Sequence, residues 1–291
     1  MDASAQVASP EPVAADAPWP RWLEAHRVDD GAAAAAYEAT PARYRAALKT
    51  GLALAHFHFG EHSAGRDDSV RNTRLGFLRA RRRQPAPWAL IVISPAYAAA
   101  ARLTAACAAA LLAGVPHVAA IFPGGAPRPA ALVSLELSGV EDIFQPNAAD
   151  MAALLEQVAA RPGPRGRLVL LHEGDLAGLE RQARQRCVPC HAEDRPPRLR
   201  VEPDAGIDRE LLAFAQGGES ALEAALRAAG PPDAVYARPE VCPAPAPDAR
   251  LTLSAGCEGF WLHPGLDPEF FTVCRQGFVT LWNLPEAPDA F

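Results

Sequence analysis

The sequence predicts an α/β protein: a doubly wound, mainly parallel, Rossmann-like sheet with a helical N-terminal region and a small mixed C-terminal segment. Three observations carry this. The runs "WALIVIS", "HVAAIFP" and "RLVLLHE" are almost uninterruptedly apolar, as in strands buried on both faces. The stretches between them, among them "AYAAAARLTAACAAALLAGV", "RPAALVSLELSG" and "AADMAALLEQVAA", have helical length and composition. Strand and helix therefore alternate at the spacing of a parallel sheet.

The elements follow in order. Residues 1–18 are rich in Ala, Pro and acids and are expected to form a disordered tail. Residues 19–84 form a helical region followed by an edge strand or hairpin. Its helices are "RWLEAHRV", "GAAAAAYEAT" and "PARYRAALKTGLALAHFHFG", with Pro41 in a first turn and Gly60 at an end. "TRLGFLRARRRQ" sets Leu75, Phe77 and Leu78 among five arginines and reads as a charged edge strand. Residues 85–160 make a first α/β unit, in which "EDIFQP" is a short strand. Residues 161–242 make a second, with "CVPCHAE" in the slot of its next strand. There, "RPPRLRVEPDAG" is a connection, "IDRELLAFAQGGESALEAALRAAG" one or two helices and "DAVYARPE" a strand. Residues 243–291 mix short strands with a helix near Pro268 to Cys274.

Composition narrows the function classes. At 291 residues, 49% hydrophobic, the chain can bury a sizeable core. A net charge of −6 with both signs interspersed speaks against a nucleic-acid partner. The N-terminal stretch has neither a basic n-region nor an apolar h-region, and the Ala-rich stretch carries Arg102, so a cytoplasmic protein with no membrane partner is expected. The six cysteines then read as free or buried thiols.

Candidate chemistry is sparse. Cys187, Cys190 and His191 match Cys-x-x-Cys-His, the attachment motif of a c-type haem. The pair follows a helix instead of opening one, so the dipole that would activate a thiolate is missing, and the motif reads as coincidental. His58 and His62 are i, i+4, with His56 close by, but no Glu follows His58 and Gly60 interrupts the helix. Gly124 and Gly125 lie after a strand and before a helix, where a phosphate cradle could form. They lack the Gly-x-Gly-x-x-Gly spacing.

Several segments together resemble histidinol dehydrogenase, within the wider aldehyde/histidinol dehydrogenase type of fold. They are "LALAHFHFGEH", "TRLGFLRARRRQPAPWALIVISP", "AAALLAGVPHVAAIFP", "SLELSGVEDIF" and, more faintly, "DAGIDRELLAFAQGGES". The resemblance spans roughly residues 40–225. It implies a Rossmann-like core, with NAD(P) as the cofactor to test. The departures are specific. Ile93 stands at the family's cofactor-facing Tyr and Asp150 at a Gln. Phe214 and Gly217 stand at the metal-binding Gln and His, and the Pro-Glu-His segment supplying base and acid is absent. Phe and Gly cannot hold zinc or move protons, so neither zinc nor the family's catalytic residues are expected.

The expectation is a catalytically degenerate protein that binds a small molecule or a partner where the parallel strands end. Its candidate cofactor-binding residues are Ser94, Tyr97, Gly124, Gly125 and Asn147. The alternative is an active NAD(P)-dependent oxidoreductase using His172, His191 or Cys257; a weaker one is a metal or redox role for Cys187, Cys190 and His191. A homodimer is a further expectation.

Overall fold

Uninterrupted apolar runs need cover on both faces, and the intervening helices supply it. The computed structural model describes residues 18–60, 65–172, 174–193, 195–242 and 246–283. The expected tail, apart from Pro18, lies outside them, as does His62. A 3-10 turn at Arg21–His26 precedes helices α1 (Asp30–Ala39) and α2 (Ala42–Phe59), then strands β1 (Arg66–Asn72) and β2 (Phe77–Pro85). There follow β3 (Ala89–Ile93), α3 (Ala100–Leu112), β4 (Val118–Ile121), α4 (Pro129–Ser138), β5 (Asp142–Phe144), α5 (Met151–Ala159), β6 (Arg167–Leu171), α6 (Ala177–Gln185) and β7 (Cys190–Glu193). The chain continues through β8 (Leu199–Val201), α7 (Arg209–Gln216), α8 (Glu219–Arg227), β9 (Ala234–Tyr236), β10 (Leu251–Leu253) and β11 (Thr272–Thr280).

The central sheet is parallel throughout, in the order β5-β4-β3-β6-β7. This is the Rossmann-like arrangement, with its switch point between β3 and β6. Ile91, Ile93, Phe122 and Val169 face one layer with Leu103 and Cys107 of α3 and Leu135 of α4. Leu90, Val92, Ile121 and Leu170 face the other, with Leu154 of α5 and Leu179 of α6. Helix α3 is buried from Ala100 to Ala110, because its outer side packs on a second layer. That layer holds α2, α7, α8 and a smaller parallel sheet, β10-β9-β8. Alanine is small enough for a helix to be sandwiched in this way. Among the described residues no helix is long and apolar enough to cross a membrane.

β6 pairs with β3 along its length, and the sheet changes between β7 and β8. Several expectations need correction. "RPPRLRVEPDAG" is not only a connection, because Leu199–Val201 pairs with β9. No helix forms near Pro268 to Cys274: a turn leads into β11, which pairs with β2 from Thr272 to Thr280. The arginine-rich strand is therefore not an edge. β2 lies between β1 and β11 in an antiparallel arm. Both faces of that arm meet solvent, so the strand needs no apolar alternation. Its Arg83 pairs with Glu269, and Arg82 stands 3.6 Å from Asp67. Pro41 takes the N-cap of α2 and not its first turn.

Candidate functional site

The five-stranded sheet ends in two different kinds of rim. After β3, β4 and β5 the loops close on one another. Ser94 is buried; its N–H donates to the Leu171 carbonyl (2.9 Å) and its carbonyl accepts from the Tyr97 N–H (2.9 Å). The Gly124 N–H donates to the Pro146 carbonyl (2.8 Å). A Cβ on Gly125 would come within 2.7 Å of the Pro95 ring. The exposed Asn147 donates its amide to Asp150 (3.0 Å). The glycine pair is thus explained by loop-on-loop packing, with Gly124 at φ +72 in the left-handed region that suits glycine.

Beside β7 the rim opens into a cleft of about 230 Å³. Its wall includes Arg102, His191, Glu193, Arg195, Trp261 and His263. Three segments far apart in sequence build it. Arg102 comes from the first turn of α3, Glu193 from the end of β7, and Trp261 and His263 from the loop after β10. That loop is seated by two glycines. A Cβ on Gly51 of α2 would collide with the Gly259 carbonyl, and a Cβ on Gly259 with the Ala47 carbonyl. Backbone packs directly on backbone there, and only glycine permits it. The Arg250 guanidinium lies 5.9 Å from the Trp261 ring and donates to the Leu262 carbonyl, which secures the loop's other side.

At the floor of the cleft Arg102 and Glu193 form an ion pair whose side chains are 6% and 11% exposed. The Tyr97 hydroxyl donates to Glu193 Oε2 (3.2 Å), and Arg102 also donates to the Gln216 carbonyl (3.4 Å). Arg102 lies over the Tyr97 ring at 5.2 Å. His263 is buried, with Nε2 2.7 Å from the Arg102 carbonyl and Nδ1 3.3 Å from Glu193 Oε2. Burial raises the Glu193 carboxyl above its ordinary range, opposed by Arg102 and by the Tyr97 hydroxyl. Burial holds the His263 imidazole down to about 4. Both directions favour neutral forms.

At the mouth Arg195 makes a two-pronged pair with Asp233, both contacts at 2.8 Å. Burial alone would raise the Asp233 carboxyl, but Arg195 and the Arg198 N–H together hold it below its ordinary value. His191 is half-buried, its ring 5.9 Å from that of His263 and 6.2 Å from Phe270.

The other predicted residues are dispersed. Of the cofactor-binding set, only Tyr97 reaches the cleft cluster, through Glu193; Ser94, Gly124, Gly125 and Asn147 line none of its wall. His172 is buried at the end of β6. Its Nδ1 accepts from the Gly174 and Leu176 N–H groups (2.8 and 3.3 Å), so it shapes a turn. Cys257 lies outside the cleft wall. Cys187 is exposed at φ +54 and precedes β7, while burial pushes the Cys190 thiol up to about 12. A protonated thiol is neither nucleophile nor metal ligand. His56 and His58 are exposed on α2. Phe214 stacks on Tyr44 at 4.6 Å and Gly217 caps α7 at φ +107. Among the described residues no three His, Cys, Asp or Glu side chains stand where they could hold a metal ion. Glu193, Arg195, Asp233 and His263 belong to no local sequence motif. Arg102, the lone charge in an alanine run, was the one visible signal.

No protein-family model matches the chain, and no curated protein matches its sequence. Solved structures do resemble it. Histidinol dehydrogenase from Elizabethkingia anophelis aligns at a TM-score of 0.58 and 12% identity, covering 88% of this chain and 77% of that one. At that identity the likeness establishes a dehydrogenase-like fold and leaves ligand and reaction to the residues. An indole-3-acetaldehyde dehydrogenase in apo form aligns at 0.40 and 10%, over 90% and 86% of the two chains. A succinate-semialdehyde dehydrogenase from Burkholderia pseudomallei aligns at 0.36 and 15%, over 55% and 32%. At those scores neither carries an argument about this chain.

Proposed function

We propose that this protein keeps a histidinol dehydrogenase-like fold without that family's catalysis, and that it binds a compact anionic molecule in the cleft beside β7. The observation that carries the reading is the buried Arg102–Glu193–His263 cluster on the cleft floor. Desolvating ions costs several kcal/mol each, and well-packed apolar residues often serve stability as well or better. Perturbed titratable groups in a cleft therefore favour a ligand site.

The chemistry of the wall suggests the ligand. Arg195, whose fork is already engaged by Asp233, brings positive charge to the mouth, and Trp261, Pro197 and Pro264 offer apolar surface. The volume, about 230 Å³, falls below the roughly 300–1,000 Å³ of sites for drug-sized ligands. A single-ring acid suits it better than a dinucleotide. The loops expected to take NAD(P) fill their own space, and Phe214 and Gly217 have no donor for zinc.

Calorimetry with benzoate, NADH and NADPH tests the reading. Benzoate is expected to bind, with at least tenfold weaker affinity after Arg195→Ala, and the dinucleotides are not. Dinucleotide binding without benzoate binding would favour the alternative, an active NAD(P)-dependent oxidoreductase, for which the fold likeness speaks.

A further inference from the structure

We propose that Glu193 and His263 hold a single proton in common at neutral pH, and that this proton is what makes the cleft receptive to an anion. The ligand half of this statement rests on the function proposed above; the proton half does not.

The geometry starts from His263. Both ring nitrogens meet oxygens, Nε2 at 2.7 Å from the Arg102 carbonyl and Nδ1 at 3.3 Å from Glu193 Oε2; a flipped ring would present carbons to them. A carbonyl can only accept, so Nε2 carries a hydrogen. If Nδ1 were bare and Glu193 ionised, an unprotonated nitrogen and a carboxylate oxygen would stand 3.3 Å apart with little water to screen them. One proton between Nδ1 and Oε2 removes that conflict. It can sit on the carboxyl and be donated to a neutral imidazole, or on an imidazolium beside a carboxylate. Either way it belongs to the pair.

The surroundings come from several elements. Arg102 of α3 and the Tyr97 hydroxyl both donate to Glu193. His191 of β7 and His172 after β6 act on its carboxyl, and Arg102 and Arg250 act on His263. The cations oppose a second proton on the pair. Among the described residues lining the cleft, Arg102 and Arg195 face Glu193 and Asp233. With Glu193 ionised and His263 neutral these charges cancel. With the shared proton present the wall carries one positive charge more, and an anion is favoured.

Linkage gives the proton a signature that needs no ligand. Above the ordinary histidine pKa of about 6.5 the unfolded chain has released a proton that the folded pair retains. The unfolding constant should then rise about tenfold per pH unit until the pair lets go. In Glu193→Gln an amide N–H donates to Nδ1, no proton is shared, and that rise should vanish. The wild type also permits a direct reading at pH 7, from the ¹⁵N shifts of His263 and the ¹³C shift of the Glu193 carboxyl in labelled protein.

A protonated carboxyl beside a neutral imidazole supports the proposal, as does a carboxylate beside an imidazolium. A carboxylate beside a neutral imidazole overturns it, whether or not the variant folds. Benzoate titrations then separate the two ideas. A shared proton with no benzoate binding would sink the ligand reading alone, and benzoate binding without the proton would sink this one alone.

Discussion

The two rims of the five-stranded sheet share a topology and differ in what fills them. At the ends of β3, β4 and β5 the loops pack on one another. Pro95 occupies the space beside Gly125, and the Gly124 N–H is taken by the Pro146 carbonyl. At the end of β7 the sheet faces the loop after β10 across a cleft floored by Arg102, Glu193 and His263. The rule that ligands bind where parallel strands end gives an address. Whether the address is vacant is decided by side chains.

Substitutions can break this contrast, and the largest effect is expected on the open side. Arg102→Met removes the buried cation beside Glu193. Breaking a buried pair costs about 3–5 kcal/mol, and urea unfolding should show about 3, the low end, because the carboxyl can draw the shared proton onto itself. Adding Glu193→Gln should recover part of the loss.

On the closed side, Gly125→Ala places a methyl against the Pro95 ring. Overpacking of this kind costs about 1–3 kcal/mol, so the melting temperature should fall while benzoate affinity stays unchanged. A loss of affinity there would mean that the two rims communicate.

Acid should act at the mouth. Because Arg195 and the Arg198 N–H hold the Asp233 carboxyl low, its contribution is complete above the unfolded pKa of about 3.9 and is lost as pH falls through the lower folded value. Asp233→Asn should lower stability at neutral pH, where the carboxylate's contribution is complete, and flatten the acid part of the stability curve.

Asn147→Ala should do least. Its side chain is exposed and bonds only the neighbouring Asp150, so a change within about 0.5 kcal/mol is expected, with no effect on any ligand. A large loss of NADH binding in this variant would restore the closed rim as a cofactor site.

Local sequence pattern is informative where burial on both faces imposes it. "WALIVIS" and "RLVLLHE" announced β3 and β6, and "IDRELLAFAQGGESALEAALRAAG" the helices α7 and α8. It failed where pairing partners decide. Leu199–Val201 is short, flanked by prolines and arginines, and becomes a strand only beside β9. The stretch from Thr272 looks irregular because both faces of the arm are solvated, yet nine residues of it pair with β2. The site was least legible of all. Arg102 and Glu193 are 91 residues apart, and Arg102 and His263 161. No local spacing links them, and the local motif Cys187-x-x-Cys190-His191 brings only His191 to the cleft wall.

One titration tells an open rim beside β7 from a cofactor site after β4. Amide and indole N–H signals of the labelled protein would be followed while benzoate, and separately NADH, is added. Benzoate should move Ala192 and the Trp261 indole and leave Gly124 and Gly125 in place, with NADH moving neither set. Signals from Gly124 and Gly125 that shift with NADH, while Ala192 and Trp261 ignore benzoate, would contradict that expectation.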